Sequence, residues 1–153
     1  MAVRIGKFMK KNKGFTLIEL LVTIAIIGML AGLATVAAGQ VRMQGRDAKR
    51  KADLVSIQSG LELYRSDCNF YPASLGDNLV GTGSPASCAV ANTYINQVPK
   101  DPQAGGVYYY NPLSSNSTYE LCAKLEQDPV PAVSMGTCGD NCGGTCNWRV
   151  VSP

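Results

Sequence analysis

The sequence predicts an α+β protein, with one long N-terminal α-helix packed on a small antiparallel β-sheet in a disulfide-stapled head. Three observations carry this. An uncharged run of 22 mostly apolar residues, Leu20 to Val41, precedes a one-sided apolar stripe at helical spacing, Leu54, Ile57, Leu61 and Tyr64. Further on the period changes from helical to alternating, with Tyr119, Leu121, Ala123 and Leu125 on one face. Finally, six cysteines and no histidine stand in a chain of 153 residues.

The helix is expected from about Phe15 to about Ser66. At about 1.5 Å per residue its uncharged run spans about 33 Å, enough for a bilayer core of about 30 Å. Residues 15–41 therefore read as a membrane-spanning half and residues 42–66 as an amphipathic half. Gly28, Gly32 and Gly39 let neighbouring helices approach closely. Asp47 with Lys51, and Lys49 with Asp53, form opposite-charge pairs four apart. The basic stretch Arg42, Arg46, Lys49, Arg50 and Lys51 reads as a solvated helix face, or as a contact to acidic neighbours, rather than as a nucleic-acid or lipid patch.

The head, residues 67–153, begins with turn signals. Asn69-Phe70-Tyr71-Pro72, Gly76-Asp77, Gly81-Thr82-Gly83-Ser84-Pro85 and Gly105-Gly106 mark residues 67–106 as loop. Residues 107–153 hold the sheet and a cysteine-rich loop. Val107 to Asn111 and Ser117 to Leu125 read as strands joined by a turn over Pro112 to Asn116, and Trp148 to Val151 as a third strand. The Tyr119 to Leu125 face is the natural cover for the helix stripe.

Charge narrows the function. Residues 1–14 hold five Lys/Arg and no acid, whereas residues 52–153 carry four Lys/Arg against nine Asp/Glu, a net charge of −5. An acidic head argues against nucleic acid. Without histidine the usual general base is missing, and no other catalytic constellation stands out, so the chain is expected not to be an enzyme. An even cysteine count beyond a membrane segment reads as disulfides formed in an oxidising compartment. Zinc is disfavoured because Cys138, Cys142 and Cys146 are spaced C-x3-C-x3-C. Joining Cys68 to Cys88 closes a loop where no other cysteine is near. Cys122 faces away from the helix and reaches one of Cys138, Cys142 and Cys146, leaving the other two to pair with each other.

The N-terminal run admits a signal peptide cut near Gly39 or a plain anchor. The first fails on length, since such apolar regions run about 7–15 residues. The second leaves Glu19 unexplained, because a carboxylate at membrane depth is costly. Lys10-Lys11-Asn12-Lys13-Gly14 followed by Phe15-Thr16-Leu17-Ile18-Glu19-Leu20 resembles the type III signal of type IV prepilins and type II secretion pseudopilins. Val98-Pro99-Lys100-Asp101-Pro102, followed by the tyrosine strand, is similar to the Pro-x-Asp-Pro element that precedes the sheet in major pseudopilins and minimal pilins.

This resemblance implies that residues 1–14 are a leader cut off by a prepilin peptidase after Gly14, and that the new terminus at Phe15 is N-methylated. It implies that Glu19, fifth after the cut, receives the Phe15 amine of the next subunit. The mature chain would be a single-pass inner-membrane protein with its head outside the cytoplasm, loaded by an assembly platform into a homopolymer that is extracellular or periplasmic. A type IV pilus subunit is the first expectation, serving motility, adhesion or DNA uptake. A major pseudopilin of a type II secretion system is the alternative, and a non-polymerising disulfide-bonded binding module the second. Orientation rests on the leader, because five Lys/Arg precede the span and five follow closely. Major pseudopilins commonly bind calcium in an acidic C-terminal loop. Here that loop offers only Asp128, Asp140 and Asn141, so disulfides are expected in place of a metal, with calcium in this loop the alternative.

Overall fold

The structure, a computed structural model, describes residues 14–129 and 136–153. The chain divides into two compact units, 1–39 and 40–153. Helix α1, Leu17–Cys68, provides the secondary structure of the first unit among its described residues and continues into the second. In the first unit it is long and apolar enough to cross a membrane, with its apolar side chains exposed. α1 stops where Asn69 adopts a left-handed conformation (φ 68°) and its N–H donates to the Arg65 carbonyl oxygen at 2.8 Å.

The second unit adds five strands: β1 (Leu79–Val80), β2 (Thr93–Ile95), β3 (Tyr109–Leu113), β4 (Thr118–Ala123) and β5 (Trp148–Val151). β1 and β2 form an antiparallel ribbon, and β3-β4-β5 an antiparallel sheet with β4 at its centre. Together with α1 they make an α+β, pilin-like fold. Leu54, Ile57, Leu61 and Tyr64 of α1 are at most 1% exposed and share one core with Tyr119, Leu121 and Ala123 of β4. Tyr71 closes this core edge-on against Tyr119, ring centroids 4.6 Å apart. α1 passes β2 so closely that a Cβ at Gly60 would meet the Ile95 side chain.

The strands depart from expectation in three places. The β1-β2 ribbon lies within the stretch expected to be loop, its strands only two and three residues long. β3 runs through Pro112 to Leu113, and the turn falls on Ser114, Ser115 and Asn116, all at positive φ. Proline is tolerated there because β3 is an edge strand, where its missing N–H need not break the ladder. β4 ends at Ala123, two residues short of the expected Leu125.

The basic stretch is not a uniformly solvated face. Arg50 is 2% exposed, because the spacing 50, 54, 57, 61 sets it on the buried stripe rather than opposite it. Asp47 pairs with Arg50 at 2.7 Å rather than with Lys51, whose ammonium lies 4.3 Å from the centre of the Trp148 ring. The Lys49–Asp53 pair forms at 3.3 Å. Truncating the centre of the stripe, Leu61→Ala, is expected to cost about 2–5 kcal/mol. Urea unfolding of the full chain in detergent, followed by the fluorescence of its single tryptophan, Trp148, measures that loss.

Candidate functional site

The first unit carries the N-terminal site. Gly14 is exposed and Phe15 is 93% exposed, while Lys10, Lys11 and Lys13 of the expected leader lie outside the described residues. Thr16 is the N-cap of α1 and Glu19 its third helical residue. The Thr16 N–H and hydroxyl donate to Glu19 Oε2 at 2.8 and 2.9 Å, and the Glu19 N–H donates to Thr16 Oγ1 at 3.3 Å. This is a reciprocal capping box, in which two orphan amide donors of the helix end find acceptors. The structure brings Gly14, Phe15 and Glu19 to one helix end, and among the described residues the hydrogen-bond partner of the Glu19 side chain is Thr16. The pattern Thr-x-x-Glu before an apolar run announces such a box, and it is the signal that singling out the Phe15 amine passed over.

The second unit gathers charge at the start of its helix stripe. Arg50 Nε and Nη2 donate to the Asp101 carboxylate at 2.8 and 3.0 Å, and Nη1 to Asp47 Oδ1 and Glu126 Oε1 at 2.7 and 3.0 Å. Arg46 forks onto both oxygens of Glu126, 2.5 Å each. Asp47 also accepts the amides of Glu126 and Gln127 at 2.9 and 3.0 Å. Asp101 of the Pro-x-Asp-Pro element is thereby tied to the helix. The Arg46 fork, with further help from Arg50, outweighs the opposing effect of burial and holds the Glu126 carboxyl down to about 2.

The cysteines pair Cys68 with Cys88, Cys122 with Cys138 and Cys142 with Cys146. The last four pack as a second buried cluster with Tyr109, on the face of β4 that turns away from α1. Beside them Glu120 accepts the Thr137 amide and hydroxyl at 3.0 and 2.6 Å and the Arg149 guanidinium at 2.5 Å. Burial pushes its carboxyl up, but the two Thr137 bonds and Arg149 outweigh that and leave it below its usual range.

The two acids of the C-terminal loop, Asp128 and Asp140, each meet a neutral donor. Asp128 Oδ1 accepts the Asn147 amide at 3.1 Å and Asp140 Oδ1 the Thr145 hydroxyl at 2.6 Å. Among the described residues no group of three or more His, Cys, Asp or Glu side chains could hold a metal ion.

Comparison with known proteins fits both units. Residues 9–35 match the prokaryotic N-terminal methylation motif, and residues 39–132 match the family model for type II secretion system protein G. The chain belongs to the type II secretion protein G family. It is 30% identical to the type II secretion system core protein G of Escherichia coli (strain K12) over 143 residues, covering 90% of this chain and 92% of that one. The core protein G of Aeromonas hydrophila is 32% identical over 136 residues, 86% of this chain and 87% of that one. The type IV major pilin protein PilA of Myxococcus xanthus (strain DK1622) is 27% identical over 144 residues, 86% of this chain but 62% of that one. No solved structure matches the chain.

The depressed Glu126 carboxyl sets an acid dependence for this family member's head. Its folded pKa of about 2 lies below the ordinary glutamate value of about 4.3. Its stabilisation is therefore fully present above the ordinary value and is lost as pH falls toward about 2. Trp148-monitored melts should show the midpoint falling through this window, and Glu126→Gln should flatten that part of the dependence. An unchanged acid limb in the variant would show that Glu126 carries none of it.

Proposed function

We propose that the chain is the major pseudopilin of a type II secretion system, the structural subunit of a short periplasmic filament. The observation that carries this is the match of residues 39–132, the second half of α1 and most of the head, to protein G, supported by relatives that are mostly type II core proteins G. This reverses the order expected from the sequence, where the pilus subunit came first. The pilin relative keeps that reading second, as it is aligned over a smaller share of its own length. The non-polymerising module has no particular support. The family is one of structural subunits rather than enzymes.

In this reading the leader, residues 1–14, is removed by a prepilin peptidase and Phe15 is methylated, leaving residues 15–41 as the span and later the filament core. The uncut chain would be a single-pass inner-membrane protein that hands its span to an assembly platform and then to other copies. Phe15 gains a charged amine on cleavage, and a buried charge needs a partner. Thr16 engages one oxygen of Glu19, Oε2, so Oε1 is the oxygen open to the amine of the next copy. Thr16 would orient the carboxylate and Glu19 would set the stagger between copies.

Deleting the gene tests the reading directly. Loss of enzyme export with surface fibres intact supports the secretion pseudopilus, and loss of surface fibres with export intact supports the pilus. Mass spectrometry of the mature chain should find methyl-Phe15 at its N-terminus. Gly14→Val should leave full-length precursor in the membrane, because a side chain obstructs close approach of the backbone to the peptidase; normal processing of that variant sinks the leader assignment. Glu19→Val should be cut and inserted like the wild type yet give little or no filament. Wild-type filament yield would reduce Glu19 to the capping residue seen here.

A further inference from the structure

Three carboxylates from three distant stretches meet in the head: Asp47 of α1, Asp101 before β3 and Glu126 beyond β4. Carboxylates brought so close disfavour one another's charge unless a cation stands among them. The cation here is the guanidinium of Arg50, 2% exposed. Each of its three nitrogens donates: Nε to Asp101, Nη1 to Asp47 and Glu126, and Nη2 to Asp101 and to Gln103 Oε1 at 3.1 Å. The loop bearing Asp101 is braced from its other side as well. Gly143 (φ 73°), inside the ring closed by Cys142 and Cys146, sits so close to the Gly105 carbonyl that a Cβ there would collide with it.

We propose that Arg50 is an internal cation, joining helix, loop and strand end as a bound divalent ion otherwise would, so that this head is independent of divalent cations. Two observations support it separately. The acids of the C-terminal loop are committed to neutral donors, Asp128 to Asn147 and Asp140 to Thr145. The place where carboxylates do converge is already filled by a planar five-donor fork, whose geometry suits carboxylates better than an ammonium would. Removing that fork leaves three carboxylates and the Gln103 amide oxygen facing one gap, an oxygen donor set of the kind hard cations take.

The test is thermal unfolding of the full chain in detergent, read by Trp148 fluorescence, in EDTA and in millimolar calcium. The wild-type midpoint should differ by less than about 1 °C between the two, since a cation that is not bound cannot stabilise the fold. A clear fall in EDTA that calcium restores would overturn the proposal. Arg50→Gln should melt about 10 °C or more below the wild type, as expected for breaking a buried ion pair, and calcium should raise its midpoint. A variant that calcium leaves unmoved overturns the claim that the guanidinium stands in a cation's place. If Arg50→Gln does not fold, Arg50→Lys, which keeps the charge and loses the fork, carries the test. It should melt below the wild type in both buffers, and a wild-type midpoint would show that the fork is not the staple. The readout is head stability, so it stands or falls apart from filament assembly.

Discussion

The apolar stripe on the second half of α1 is the constraint from which the head follows. Leu54, Ile57, Leu61 and Tyr64 are buried, while Val55 and Leu63 on the far side of the same helix stay exposed. Fully burying one such side chain is worth about 1.5–3 kcal/mol, so the stripe demands a cover, and β4 supplies it. As the central strand of three, β4 must itself be covered on both faces: from Tyr119 to Ala123 every residue is buried. One face lies on the stripe. The other, with Glu120 and Cys122, would meet water if the cysteine-rich loop did not fold over it, and the Cys122–Cys138 bridge and the Thr137 bonds to Glu120 hold that loop down. The disulfide region is thus the second layer that a central strand requires.

What the sequence made legible was what has a period. The helix stripe, the alternation of β4 and the short β5 repeat at 3.6 or 2 residues, and each lies where that period puts it. The pairing of Cys68 with Cys88 was readable from isolation along the chain, whereas the choice of Cys138 for Cys122 depended on how the loop folds back. The β1-β2 ribbon was not legible, because strands of two and three residues with an irregular register cannot display alternation. The ends of β3 were hidden by Pro112, a residue that argues against a strand until its edge position is known.

Arg50 shows the limit of reading charge without geometry. Counted with Arg42, Arg46, Lys49 and Lys51, it belongs to a basic cluster that one assigns to solvent. Counted with Leu54, Ile57 and Leu61, it is the next step of the buried stripe, and a charge on a buried stripe requires counter-charges from elsewhere in the chain. Those come from Asp101 and Glu126, 51 and 76 residues away. No local pattern in the sequence links them to Arg50, although the Pro-x-Asp-Pro element did single out Asp101.

At the other end of the chain, Glu19 was legible as an anomaly, while its local partner, Thr16, came from the structure, and the two observations point to different uses of one carboxylate. They are compatible because a carboxylate has two oxygens and about four acceptor positions. The box uses Oε2, and it answers an obligation that exists from the moment α1 forms, since the first amides of any helix have no partner within it. In hydrocarbon that obligation is stricter, because no water is at hand to satisfy it. A residue retained for the amine alone would be an unpaired carboxylate while the subunit sits in the membrane, the costly state that intramembrane acids avoid by pairing. With Thr16 beside it, the carboxylate already accepts hydrogen bonds within its own chain, and on the proposed reading its other oxygen is left for the partner subunit. On the proposed reading, the same capping box that stabilises the helix start is therefore what lets an assembly carboxylate wait at the edge of the bilayer.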